Sequence, residues 1–224
     1  MMKKLLVTLL VVSLCMGLFV NTASAFTFTE LDPEEVFSPE LIEMEKVSNW
    51  AKSEIELAGE AGLITEHTSS YMTSEITRFQ FAELIVNYVE KVTSKEITPA
   101  EDTTFTDTRE AAVLKAYAAG IVGGVGNNRF DPSAKSNREQ IAAMIYRAVK
   151  YIQTETNVSL VPKTADLSKF TDKSQVSSWA VEGVGALAAN GIMAGTSATT
   201  LSPKSSCPIE QCIVLIYRLY KKTA

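Results

Sequence analysis

Apolar residues in this chain recur at helical spacing in six stretches, and the six fall into three pairs. The first member of each pair is Ala-rich and ends in a glycine: WAKSEIELAGEA before Gly62, EAAVLKAYAA before Gly120 and WAVEGVGALAAN before Gly191. Ile55 with Ala58, Val113 with Ala116, and Val184 with Leu187 lie on repeating helical faces. A glycine just past the last periodic residue predicts a left-handed helix stop. The second member carries a longer stripe, formed by Phe81, Leu84, Ile85, Tyr88 and Val89 in the first pair. Ile141, Ile145, Ala148 and Val149 form the second stripe, and Ile213, Ile216, Tyr217 and Tyr220 the third. Steps of three and four make one apolar face, which core packing explains.

Within each pair the loop ends in a shared pattern: YMTSEITRFQFA, FDPSAKSNREQIA and LSPKSSCPIEQCI. Phe130 and Leu201 sit ten residues past their glycines, and Pro132 and Pro203 twelve past. The first loop is two residues shorter and has Tyr71 and Thr73 there. A single two-helix unit cannot bury its own apolar faces, whereas three together can. The pattern therefore predicts an all-α domain of three helix–loop–helix repeats: residues 26–92 with a lead-in, 105–152 and 170–222. Polar segments connect them.

The starts of the second helices carry further signals. Thr77 with Gln80 forms a capping box, and Asn137 with Gln140 is close to one. In the third copy Pro208 replaces the capping residue, and the expectation is that Pro208 is the first helical residue with Cys207 or Ser206 outside it.

Residues 1–25 read as a secretory signal peptide. Lys3 and Lys4 precede an apolar run from Leu5 to Val20, and Ala23-Ser24-Ala25 is a small-x-small cleavage site. No later apolar run is long enough to span a membrane, so no transmembrane segment is expected in the mature chain. Removing Lys3 and Lys4 leaves 19 basic against 26 acidic residues. An acidic surface argues against nucleic acid as a partner, and an anionic ligand has to be caught by local geometry. Cys207 and Cys212 are too few for a disulfide scaffold. Five residues apart across a helix start, they are expected to be poorly placed for a bridge, and Cys212 reads as a small buried residue.

The ordered pieces resemble the S-layer homology domain. They are Phe105-Thr106-Asp107 and Phe170-Thr171-Asp172, Trp50-Ala51 and Trp179-Ala180, the glycine turns, Phe130-Asp131-Pro132, Thr77-Arg78, and Asn137-Arg138-Glu139-Gln140. The resemblance covers residues 37–222. It implies three such repeats in a pseudo-threefold spindle around a central three-helix bundle. It also implies attachment of an exported protein to secondary cell-wall polysaccharide, an anionic polymer that often carries pyruvate ketals, held in grooves between neighbouring repeats. The implied location is secreted, at the bacterial cell wall or S-layer, with other envelope proteins as further candidate partners.

Arg78 and Arg138 carry the site expectation. A cation at the first helical position faces the positive end of the helix dipole, at a cost of about 0.3–1 kcal/mol. The free amides of the first turn and the guanidinium would together form an anion pocket, with the Arg fork on a carboxylate. The competing structural role is an ion pair with Glu75 or Glu139, and Glu139 is itself a candidate ligand contact. Ile209 stands in the third copy where the arginine would be, so at most two grooves should bind in the family's way. Trp50 and Trp179 could carry a sugar ring or simply anchor a helix start. Gly120, Gly124, Gly191 and Gly195 would let backbone amides approach a ligand, or only make tight turns. Asp107 and Asp172 could accept sugar hydroxyls or cap a turn. On this reading Arg138→Ala weakens wall binding by about 2–3 kcal/mol and leaves the fold intact.

No catalytic or metal-ligating constellation stands out and no cofactor is expected. His67 is the chain's one histidine and lies in a loop, and no Cys–His pair, Gly-x-Ser-x-Gly elbow or ligand cluster is present. The alternative function is an envelope protein–protein or scaffold module that has lost glycan binding, which the missing third arginine and short first loop favour.

Overall fold

The computed structural model describes residues 46–223. The expected signal peptide and most of the lead-in lie outside the described residues. Six α-helices form three pairs: α1 (Lys52–Glu60) with α2 (Arg78–Thr93), α3 (Ala111–Ala118) with α4 (Arg138–Thr156), and α5 (Val181–Ala189) with α6 (Ile209–Tyr220). No strand is present among the described residues, only isolated bridges. The helix stops are as the glycines predict: Gly62, Gly120 and Gly191 have φ of 63°, 68° and 71°, a region that a Cβ disfavours.

The long second helices make the centre. α2 packs against both α4 and α6. The short helices lie outside, each on the second helix of the preceding repeat: α3 on α2, α5 on α4, and α1 on α6. The stripes are what this packing buries. Phe81, Leu84, Ile85, Tyr88, Ile141, Ile145, Val149, Ile213 and Ile216 are all without solvent exposure. A fully buried side chain of this size stabilises by about 1.5–3 kcal/mol, so one continuous core spans the three units.

A backbone collar joins the repeats head to tail. Arg78 N and Phe79 N donate to Ala134 O and Pro132 O of the second repeat, at 2.9 and 3.0 Å. Arg138 N and Glu139 N donate to Ser205 O and Pro203 O of the third, both at 3.0 Å. Ile209 N and Glu210 N donate to Ser74 O and Met72 O of the first, both at 2.9 Å, which closes the ring.

The helix starts differ from expectation in two places. Asn137 and Gln140 form a full reciprocal box (2.9 and 3.0 Å), as Thr77 and Gln80 do. Pro208 is not the first helical residue. It occupies the cap with ψ 153° and the helix begins at Ile209. The reason is that the collar holds this residue extended, as it holds Thr77 and Asn137. Proline has no N–H for a box, and Gln211 Oε1 instead lies 3.2 Å from Cys207 Sγ. Cys212 is buried and unbridged as expected, and only the expected poor placement of the pair is corrected. Cys207 and Cys212 are buried free thiols, with their sulfurs 3.3 Å apart, because the extended cap folds Cys207 back over the first turn.

Candidate functional site

Two grooves are built by the same recipe, and each draws on all three repeats. Groove A, about 440 Å³, is lined by Arg138 from the second repeat, Ala194, Gly195, Gln211 and Arg218 from the third, and Trp50 from the first. Groove B, about 220 Å³, is lined by Arg78 from the first repeat, Gly123, Gly124, Gln140 and Arg147 from the second, and Trp179 from the third. Both tryptophans are 54% exposed. An indole left that open at a groove rim offers a flat apolar face with a polar N–H, the property that suits Trp to half-wet surfaces.

The arginines do not use the anion pocket that the sequence suggests. The amides of the first two helical residues are consumed by the collar, and that of the third by the cap side chain. The guanidinium groups clamp the neighbouring repeat instead. Arg78 Nε and Nη2 donate to Phe130 O and Gly123 O, both at 2.8 Å, with the Phe130 ring 4.5 Å beneath. Arg138 Nε and Nη2 donate to Leu201 O (3.0 Å) and Ala194 O (2.8 Å). Neither pairs with Glu75 or Glu139. Two of five N–H donors are committed in each, and the remainder have no protein partner among the described residues. Burial lowers both guanidinium pKa values, but an arginine keeps its charge in a protein. Arg138 is only 3% exposed, so the expectation that Arg138→Ala leaves the fold intact is corrected. Truncation would strip the buried Leu201 carbonyl and the more open Ala194 carbonyl of their donor.

Several other candidates turn out to be struts. Glu139, 2% exposed, accepts from Ser177 N and Ser177 Oγ, both at 2.9 Å, and pairs with Lys204. Its burial works to raise the pKa, and Lys204 with the Ser177 donors overcomes this, so the net shift is downward. Glu210 does the equivalent job at the ring closure, accepting from Ser48 N at 2.9 Å. Asp107 accepts from Phe130 N (2.8 Å) and Asp131 N (2.9 Å), and Asp172 from Leu201 N (2.9 Å) and Ser202 N (2.7 Å). Those amide donors lead in holding both carboxyls below their ordinary value. These carboxylates brace the loops, which matches the turn-capping alternative of the sequence reading. Gly120 and Gly191 end helices and do not line a groove. Gly124 and Gly195 do line one. A Cβ on Gly124 would lie 2.9 Å from Arg129 O, and one on Gly195 would collide with Ser197 O and Thr200 O, so the loop cannot close with anything larger.

Sequence reasoning missed Gln140, Arg147, Gln211 and Arg218. The signal was available: in each helix the two residues are seven apart, two turns along one face, beside the apolar stripe. At the third junction the equivalent positions hold Ile209, buried at 1%, Thr108 for the tryptophan, and Asn87 for the arginine. Asn87 Nδ2 is turned onto Gly62 O and Leu63 O (both 3.1 Å), while Glu83 binds Thr65 Oγ1 (2.6 Å) and His67 Nδ1 (2.9 Å). The junction satisfies its own polar groups.

The family model of the S-layer homology domain matches residues 105–142 and 169–206. The chain carries S-layer homology domains. Such a domain is an anchoring module of the cell surface. The first match runs from Phe105 through the arginine-bearing start of α4, and the second stops short of Pro208 and Ile209, where this chain departs from the pattern. The first repeat lies outside both matches but has the same helix–loop–helix, capping box and collar bonds. The chain is 30% identical over 224 residues to an endoglucanase of Bacillus sp. (strain KSM-635), covering 99% of this chain and 22% of that protein. It is 27% identical over 180 residues to both the exoglucanase XynX of Acetivibrio thermocellus and an amylopullulanase of Thermoanaerobacterium thermosulfurigenes. There it spans 16% and 9% of those proteins. The chain thus covers less than a quarter of the length of each of these relatives. Among its described residues no helix is long and apolar enough to cross a membrane.

Proposed function

We propose that this chain is a non-catalytic anchor that holds an exported protein on an anionic secondary wall polysaccharide through grooves A and B. The observation that carries this reading is the repeated recipe: an open indole, a clamped arginine with spare donors (buried at Arg138, half-buried at Arg78) and a glycine loop, assembled twice from different repeats. Stacking on the indole and charge-assisted bonds to a carboxylate, such as a pyruvate ketal, use those groups as they stand. The rigid clamp matters as much as the charge, since a preorganised guanidinium loses little freedom when a ligand arrives. The third junction has none of the three parts and is left out of the binding role.

The test is a pull-down with purified walls before and after removal of the non-peptidoglycan polymer. Binding should vanish with the polymer. Binding retained on stripped walls would move the assignment to a peptidoglycan or protein partner, the scaffold alternative.

A further inference from the structure

The two grooves share their positions but not their charge. In groove A, Arg218 is forked by a carboxylate: Glu54 takes its Nε at 3.1 and 3.2 Å and its Nη2 at 2.7 Å, and also meets Lys221 Nζ at 3.5 Å. Glu210 is the carboxylate that lines that groove directly. In groove B the matching cation is Arg147, which is exposed and makes only one long contact, Nη1 to Ile121 O at 3.4 Å. Among the described residues no acidic one lines groove B.

The difference is enforced by packing. Glu54 lies four residues past Trp50, and the residue four past Trp179 is Gly183. A Cβ on Gly183 would lie 3.1 Å from Tyr146 Cβ, 3.3 Å from Ala142 O and 3.4 Å from Ala143 Cα. α5 sits so close to α4 that any side chain there would have to push its neighbours back, and this position supplies no carboxylate to Arg147. The neighbouring acid, Glu182, is held by the Tyr146 hydroxyl at 2.6 Å. A guanidinium without a carboxylate partner, at the mouth of a groove that already holds Arg78, can take two oxygens of a sugar acid. Arg218, already forked, offers much less to an incoming anion.

We propose that groove B is the acid-selective site and groove A the site for an uncharged residue of the same polymer, with Arg147 setting the difference. This rests on the anchoring reading above. One chain would thereby read two chemically different sugars of a polysaccharide rather than one sugar twice.

The chain holds two tryptophans, one per groove, so each indole N–H resonance reports one site. The probes are the methyl glycoside of a hexosamine bearing a pyruvate ketal and the methyl ester of that ketal, titrated separately into the protein. Trp179 should saturate at about tenfold lower concentration with the acid than with the ester, a difference of about 1.4 kcal/mol. Trp50 should respond to the two alike. Arg147→Gln should abolish the Trp179 preference, and Glu54→Gln, by freeing Arg218, should create one at Trp50. A tenfold preference surviving in Arg147→Gln, or an equal preference at Trp50 in the unaltered chain, overturns the proposal and leaves the anchoring reading in place. No response at either indole to either glycoside would sink both.

Discussion

Grooves A and B and the third junction stand at equivalent places in a repeated ring, and their backbones are joined by the same pair of collar bonds. Their side chains have gone different ways. At two junctions an arginine reaches across to loop carbonyls and an indole stays open. At the third, Ile209 fills the arginine's space, Glu83 pairs with Thr65 and His67, and Asn87 is spent on the Gly62 and Leu63 carbonyls. The contrast separates two jobs that a single motif combines. Amide–carbonyl bonds and the apolar stripes hold the ring, and they do not care which side chain follows the cap. Ligand chemistry is laid on top, and one junction can do without it while the architecture stands.

The contrast can be broken deliberately. The largest effect should come from Ile209→Arg, which imposes the groove recipe on the third junction. The carbonyl matching Ala194 O is Thr65 O, and it already accepts from Thr68 N at 3.1 Å. A buried guanidinium without acceptors should cost about 3 kcal/mol or more in urea unfolding, with no gain in wall binding. A gain in binding would show that the third groove lacks only its arginine. Next comes Arg138→Ala, which should lower stability by about 3 kcal/mol because Leu201 O and Ala194 O lose their donor. Arg78→Ala should cost about half that, since its half-buried site lets water reach the freed carbonyls. Equal losses would mean the clamp's burial is irrelevant. The smallest effect concerns acid. Glu54 is held below its ordinary value chiefly by its hydrogen bonds to Arg218, and Glu139 shifts the same way. Each therefore adds stability that is present above the ordinary glutamate pKa, about 4.3. That stability is lost as pH falls through the lowered folded value. Stability should decline below about pH 4.3 as these two carboxylates are protonated. Glu54→Gln should shave about 0.5–1 kcal/mol at pH 7 and shallow that decline.

Much of this was legible beforehand, for local reasons. The stripes, the capping box at Thr77 and the three helix-stop glycines depend on neighbours three or four residues away, and periodicity reports these directly. Ile209 as the missing arginine followed from spacing alone. What escaped was long-range. That the first-turn amides are spent depends on carbonyls 53 to 138 residues distant in the chain, such as Pro132 O for Phe79 N and Met72 O for Glu210 N. Asp107 and Asp172 were undecidable because a carboxylate bracing a loop and one facing a sugar have the same sequence context. Each tryptophan serves a groove whose other walls belong to the other two repeats, an arrangement that no single repeat can announce. Pro208 misled because proline at a helix start fits either the cap or the first turn, and only the collar decides.

The ring closure has a mechanical meaning for a tether. Tension applied across residues 46–223 enters at α1 and leaves at α6, and these two helices lie against each other, pinned by Glu54 on Arg218 and by Glu210 on the Ser48 amide. A linear array would shed its modules one after another under load. Here the seam takes the strain first, and once it parts groove A has lost Trp50, the wall that the first repeat supplies, while groove B, lined by neither α1 nor α6, keeps its own.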